Sequence, residues 1–259
     1  MGIVLALGGG GAKGVAHIPV LEALDELGVR PIAVAGTSIG AIVGAAYCAG
    51  LTGRDLRQHA LALAANRAKA IWTMVKAPRN RHWKGLLSPE AATDLGLPAS
   101  VPDTFEALQI PFAAATTDFF RHERLMLQTG PLRPAISASI AIPAVFLPMN
   151  MGGRMLVDGG LTQNVPVRDL PAGHLVAVDV LDYPQEGQDM SRGRAGIGAV
   201  QIMLKAAMRA DFEARPPAVL LEPGTGGVGP LDFGKLEEIL QAAEPIREHT
   251  KRRIGALLG

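Results

Sequence analysis

The chain has a single cysteine, Cys48, in 259 residues. One thiol excludes an intramolecular disulfide and any cysteine-rich zinc site, and it suits a reducing compartment. Aromatic residues make up only 4%, so a buried core has to come mostly from Ala, Leu, Val and Ile. Charge of one sign is not in excess. The net charge of +1 gives no overall pull toward nucleic acid, and no nucleic-acid partner is expected. No uncharged apolar run is long enough to span a bilayer. No charged leader with a cleavage site precedes the first motif, and Ala6 stands where a myristoylation signal wants Ser or Thr. These absences lead to the expectation of a cytoplasmic protein.

With 48% hydrophobic and 19% charged residues, the chain can bury a sizeable core. Ile3–Leu7 reads as a short strand buried on both faces, Val15–Leu27 as a helix, Pro31–Ala35 as a strand and Ile39–Ala49 as a helix of small residues. Pro19 predicts a kink or a late start in the first helix. Strand, helix, strand, helix within 50 residues implies a parallel sheet with right-handed crossovers. Farther on, Ser88-Pro89 marks a helix start. Pro111–Thr117 and Arg124–Gln128 suggest a hairpin, and Met155–Val157, Leu175–Val180 and Ala218–Leu221 read as strands. Ala195–Phe212 and Leu236–Leu257 read as helices. With no repeat and no evident linker, residues 1–259 are expected to form one α/β domain.

Gly36-Thr37-Ser38-Ile39-Gly40 fits G-x-S-x-G and falls at a strand-to-helix junction. That is the context of a nucleophile elbow, whose sharp turn needs the flanking Gly36 and Gly40 and presents Ser38 at a helix N-terminus. One βα unit earlier lies "GGGGAKG", Gly8 to Gly14. A dinucleotide site would want an acid near the end of the next strand, and none is there. A P-loop would want Gly-Lys-Ser/Thr, but Lys13 sits between Ala12 and Gly14. The loop fits better as a source of N–H donors for a developing oxyanion, each commonly contributing about 3–4 kcal/mol. Lys13 can orient that loop or add positive potential.

A serine nucleophile needs a base. Asp158 in "MLVDGGLTQNVPV" ends a short apolar strand, and Gly159-Gly160 lets the chain turn beside it. An acid after a strand of the parallel sheet would point toward the same edge as the elbow. None of the six histidines, His17, His59, His82, His122, His174 and His249, has such a context. His174 or His249 remains the rival base at this point, in a histidine-dependent esterase or thioesterase.

The ordered set "GGGGAKG" at 8–14, "GTSIG" at 36–40 and "DGG" at 158–160 resembles the patatin-like phospholipase family, near its small single-domain bacterial members. "ATTDF" at 115–119 and "SASIAIPAVFLP" at 137–148 add to the likeness, which covers roughly 5–180. The resemblance implies a three-layer α/β/α sandwich around a mainly parallel sheet. It also implies a Ser38–Asp158 dyad without histidine, an oxyanion hole from Gly9, Gly10 and Gly11, and hydrolysis of lipid acyl esters. No metal and no cofactor are implied. Pro19, the Met149–Arg154 loop and residues 180–259 depart from the family pattern. A non-catalytic lipid-binding protein on the same fold is the alternative of another class.

From Leu56 to Pro89 there is no Asp or Glu, while Arg67, Lys69, Lys76, Arg79, Arg81 and Lys84 accompany both tryptophans, Trp72 and Trp83. Basic residues with interfacial aromatics suit anionic headgroups. Residues 67–84 are therefore expected to form a lid or a peripheral membrane contact. The sequence does not reveal the oligomeric state.

Overall fold

The computed structural model describes residues 2–66, 87–183 and 192–259. Strand β1 (Ile3–Leu7) is apolar and buried at every position, as a strand covered on both faces must be. It lies between β2 (Ala33–Thr37) and β7 (His174–Val178), parallel to both. The remaining strands are β3 (Phe112–Asp118), β4 (Glu123–Leu127), β5 (Met149–Met151), β6 (Arg154–Asp158) and β8 (Val219–Leu221). The sheet order is β5-β6-β3-β2-β1-β7-β8, with β4 also paired to β3. Helices cover both faces, giving a mixed, mostly parallel α/β sandwich.

A turn of 3-10 helix at Gly11–Ala16 leads into α1 (His17–Glu26). Pro19 is thus the third helical residue, inside the first turn, where a missing N–H costs no hydrogen bond. The late start resolves the expected kink. Helix α2 (Ile39–Cys48) follows β2 directly. Helix α3 (Gly53–Ala65) begins with a capping box in which Thr52 and Asp55 each satisfy the other's backbone N–H. Helix α4 (Pro89–Gly96) starts as the sequence indicates, with the Ser88 hydroxyl accepting from Ala91 N–H.

Three elements differ from the sequence reading. Met149–Arg154 is not a loop but belongs to the β5–β6 hairpin, turned by Gly152 and Gly153 at φ 59° and 76°. Helix α5 (Leu132–Ser139) was not anticipated, because Pro131, Pro134 and two serines mask its apolar stripe. Leu236–Leu257 is broken at Pro245 into α7 (Leu236–Ala243) and α8 (Pro245–Leu258). Between β7 and β8 runs α6 (Arg192–Ala214), the longest helix among the described residues.

Alternation along β1 splits the core in two. Leu5 and Leu7 join the apolar sides of α1, α2 and α7, while Val4 and Ala6 pack with Ala33, Ala35, Val165 and Met208. The scarcity of aromatics is met by close backbone approach. A Cβ at Gly36 would run into the Gly40 carbonyl, and one at Gly40 into the carbonyls of Leu7 and Gly8. The first turn of α2 therefore lies directly on the ends of β1 and β2.

Candidate active site

Ser38 stands between β2 and α2 with φ 54° and ψ −124°. A positive φ is costly for a residue with a side chain, commonly about 1–3 kcal/mol, and must be held by its surroundings. Two bonds hold it. The Ser38 N–H donates to Ser139 Oγ at 2.9 Å, and that hydroxyl donates to the Ala115 carbonyl at 2.7 Å. A serine at a helix N-cap normally accepts from the first turn. Ser38 makes no such bond, so its hydroxyl is not committed to capping.

Asp158 arrives by a route the sequence did not indicate. Strand β3 pairs with β4 over Ala114–Asp118 and with β2 over Phe112–Ala115, so these two partners occupy opposite edges. Strand β6 pairs with β3 over Thr116–Asp118, antiparallel. It must therefore use the edge that β2 has just vacated. Thr37 sits opposite Ala115 and Asp158 opposite Thr116. The two strands meet head to head, and Ser38 and Asp158 come together at the junction. The expected parallel strand is corrected to an antiparallel one.

Asp158 is 6% exposed as a residue, and its Oδ2 is buried. Burial pushes its pKa up to about 6, partly offset by the Ser38 hydroxyl and the Gly160 N–H. Oδ1 accepts from Gly160 N–H at 2.7 Å, while Oδ2 is buried with no hydrogen bond of full geometry among the described residues. Gly159 is needed because a Cβ there would strike the Ala115 carbonyl.

The glycine loop lies one strand over, on β1. The Gly9 N–H is already spent on the Asn164 carbonyl at 3.1 Å. Gly10 and Gly11 have no hydrogen-bond partner for their N–H groups among the described residues. Of the three glycines read as donors, then, two have N–H groups free to act. His17 donates Nε2–H to the Gly8 carbonyl at 2.8 Å. Its burial lowers its pKa to about 4, so it is neutral at pH 7 and braces the loop. Lys13 is not solvated. It is 3% exposed, and Nζ pairs with Asp182 Oδ2 at 3.1 Å, which also accepts from the Thr225 hydroxyl. Its charge is neutralised there, so it anchors the loop rather than adding potential. Ala12 N–H donates to the Pro230 carbonyl at 2.8 Å, and Gly14 lies against the Ile39 side chain.

From Ser38 and Gly11 opens an almost wholly apolar cavity of about 270 Å³. Ile42 and Val43 of α2, Leu63 of α3, Leu95 of α4, Phe146 and Phe233 form its walls. His59 is the titratable side chain on this lining, and a ring nitrogen meets the Gly96 carbonyl at 3.1 Å. His174 opens β7 opposite Ile3, at the sheet edge away from Ser38. His249 is on α8, and neither lines the cavity.

Sequence reasoning missed Ser139, Asn164, Asp182, Thr225 and Pro230. Ser139 fell inside a noted block, but only the contact across the chain reveals its task. The other four have no local signal beyond polarity or a turn. The basic segment 67–84, with Trp72 and Trp83, lies outside the described residues. Arg57, just before it, pairs with Glu22 and Glu244. No helix among the described residues is long and apolar enough to cross a membrane.

Comparison with known proteins gives a consistent picture. The family model described as patatin-like phospholipase matches residues 5–171. An uncharacterized NTE family protein of Mycobacterium tuberculosis is 37% identical over 165 residues, 64% of this chain and 44% of that one. The neuropathy target esterase sws of Drosophila melanogaster is 30% identical over 201 residues, 73% of this chain and 14% of that one. In fold, the crystal structure of VipD from Legionella pneumophila superposes with a TM-score of 0.54 at 16% identity, covering 98% of this chain and 66% of that chain. The chain thus spans under half the length of the mycobacterial protein it matches.

Proposed function

The chain belongs to the patatin-like phospholipase family, and from that premise we propose that it is a serine hydrolase of lipid acyl esters working through a Ser38–Asp158 dyad. The observation that carries this is the head-to-head meeting of β2 and β6, which sets a strained serine with an uncommitted hydroxyl beside a buried carboxylate. Asp158 takes the hydroxyl proton as Ser38 Oγ attacks the ester carbonyl. The N–H groups of Gly10 and Gly11 receive the oxyanion. Asp158 gives that proton to the departing alkoxide as the alcohol leaves; the restored carboxylate then takes a proton from the water that attacks the acyl-enzyme and passes it to Ser38 Oγ as the acid is released. With its pKa lifted to about 6, Asp158 is a stronger base than an ordinary carboxylate and still ionised at neutral pH.

The apolar cavity supports a fatty acyl chain as the leading substrate feature. Each methylene buried contributes about 0.8 kcal/mol, roughly four-fold in kcat/KM. With p-nitrophenyl esters of increasing chain length, kcat/KM should climb by about that factor per methylene until the cavity is full. Leu63→Trp, on the half-buried wall, should move the optimum to shorter chains. An unchanged profile in that variant would contradict the assignment of the cavity.

Ser139 is proposed as a positioning residue. Ser139→Ala removes the acceptor of the Ser38 N–H and should lower kcat about ten-fold or more, with KM for a soluble ester little changed. Ser139→Thr keeps the hydroxyl and should restore most of the loss. Equal defects in both variants would reduce Ser139 to packing.

A further inference from the structure

Large apolar side chains on the surface are not scattered. Of the twelve exposed among the described residues, nine lie on segments leaving the C-terminal ends of the strands, the edge that carries Ser38. Phe119 and Phe120 form the tip beyond β3, Leu161 follows Asp158, and Leu231 and Phe233 lie on the segment that closes over the glycine loop. The other four, Ile197, Val200, Ile202 and Met203, belong to α6.

Helix α6 explains why they are bare. Its 23 residues span about 34 Å. The strands it connects, of five and three residues, span only about 17 and 10 Å. The helix outruns the sheet it crosses. Its C-terminal part is fastened: Met208 is buried, Asp211 pairs with Arg168 at 2.5 Å, and Arg215 donates to the Val167 and Pro171 carbonyls. The connection runs from the end of β7 to the start of parallel β8, so the N-terminal half, which has no such anchor among the described residues, projects past the active-site edge. Val200 and Met203, one turn apart, are 51% and 71% exposed.

Charge says what such a surface would meet. From Arg192 to Ala210 the helix carries Arg192, Arg194, Lys205 and Arg209 and no acid. Exposed apolar side chains on a helix whose sequence carries cations and no acid over this stretch match the boundary between anionic headgroups and acyl chains.

We propose that the projecting half of α6, with the apolar residues of the same edge, docks the protein onto an anionic lipid surface. This rests on the lipid-hydrolase reading, since docking there would bring the Ser38 cavity to its substrate.

Flotation with phosphatidylcholine vesicles, with and without phosphatidylglycerol, tests the proposal, with p-nitrophenyl butyrate turnover read in parallel. The wild-type chain should float with the anionic vesicles, and less so at high salt. The double variant Val200→Ser/Met203→Ser should lose about ten-fold or more of that binding, with unchanged melting temperature and unchanged butyrate turnover. Wild-type protein that ignores anionic vesicles, or a double variant that floats like wild type, would overturn the docking surface. So would a wild-type dimer that the double variant splits while flotation stays the same, since the face would then join two copies. Vesicle binding without any butyrate turnover would support docking and count against the hydrolase reading alone.

Discussion

Asp158→Asn is expected to lose about a thousand-fold or more in turnover and yet melt at a higher temperature than the parent at pH 8. On the proposed dyad, the loss follows from removing the carboxylate that stands beside Ser38 among the described residues, since a positioned general base commonly contributes about 10²–10⁴-fold. The gain follows from linkage. Burial raises the folded-state pKa of Asp158 from 3.8 to about 6, so its contribution to stability is fully present below the unfolded value and is lost as pH rises through about 6. At pH 8 the buried carboxylate costs on the order of 2–3 kcal/mol, or several degrees for a chain of this size. Asparagine keeps an oxygen for the Gly160 N–H and carries no charge. The difference in melting temperature between parent and variant should therefore shrink toward zero near pH 4. In the parent, kcat/KM for a soluble ester should rise with pH through a limb near 6. A variant that melts lower at pH 8 than at pH 4 relative to the parent would mean that Asp158 is held by interactions that favour its charge.

Gly11→Ala carries the second large effect. Gly11 has φ 57°, and a Cβ there would run into the Pro230 carbonyl, which also accepts from Ala12 N–H. The loop must shift, and the N–H groups of Gly10 and Gly11 move with it. Losing one oxyanion donor commonly costs about 10²–10³-fold in kcat, and a comparable fall is expected here with a smaller change in KM. Gly28→Ala is the control. It has a similar φ of 65° but nothing within reach of a Cβ, so it should cost only about 1 kcal/mol of stability and leave turnover alone. Matching activity losses in the two variants would show that backbone strain, not loop position, is being read.

What could be read from the sequence divides by range. The turns that hold Ser38 and the glycine loop are legible because they are set locally, and Gly36, Gly40 and Gly14 mark them. Pro19 and Ser88-Pro89 were legible for the same reason. The placement of Asp158 beside Ser38 is not legible, since nothing in "MLVDGG" says that its strand runs antiparallel into the end of β2. That the Gly9 N–H is engaged is not legible either, because its acceptor, the Asn164 carbonyl, lies 155 residues away. Residues beyond 180 looked unrelated to the site. Yet Asp182, Thr225 and Pro230 hold the loop from outside the stretch that matches the family model. Such supports are polar residues and turns of ordinary kind, and only the folded sheet gives them their task.

The central claim is that Ser38 is the nucleophile and Asp158 its base. Labelling the folded protein with a fluorophosphonate probe and mapping the modified peptide tests it most directly. The expected result is a single adduct on Ser38, strongly suppressed in Asp158→Asn and retained when His59 or His174 is replaced by alanine. A folded protein that stays unlabelled, or an adduct on Ser38 that depends on a histidine and survives Asp158→Asn, would contradict the dyad.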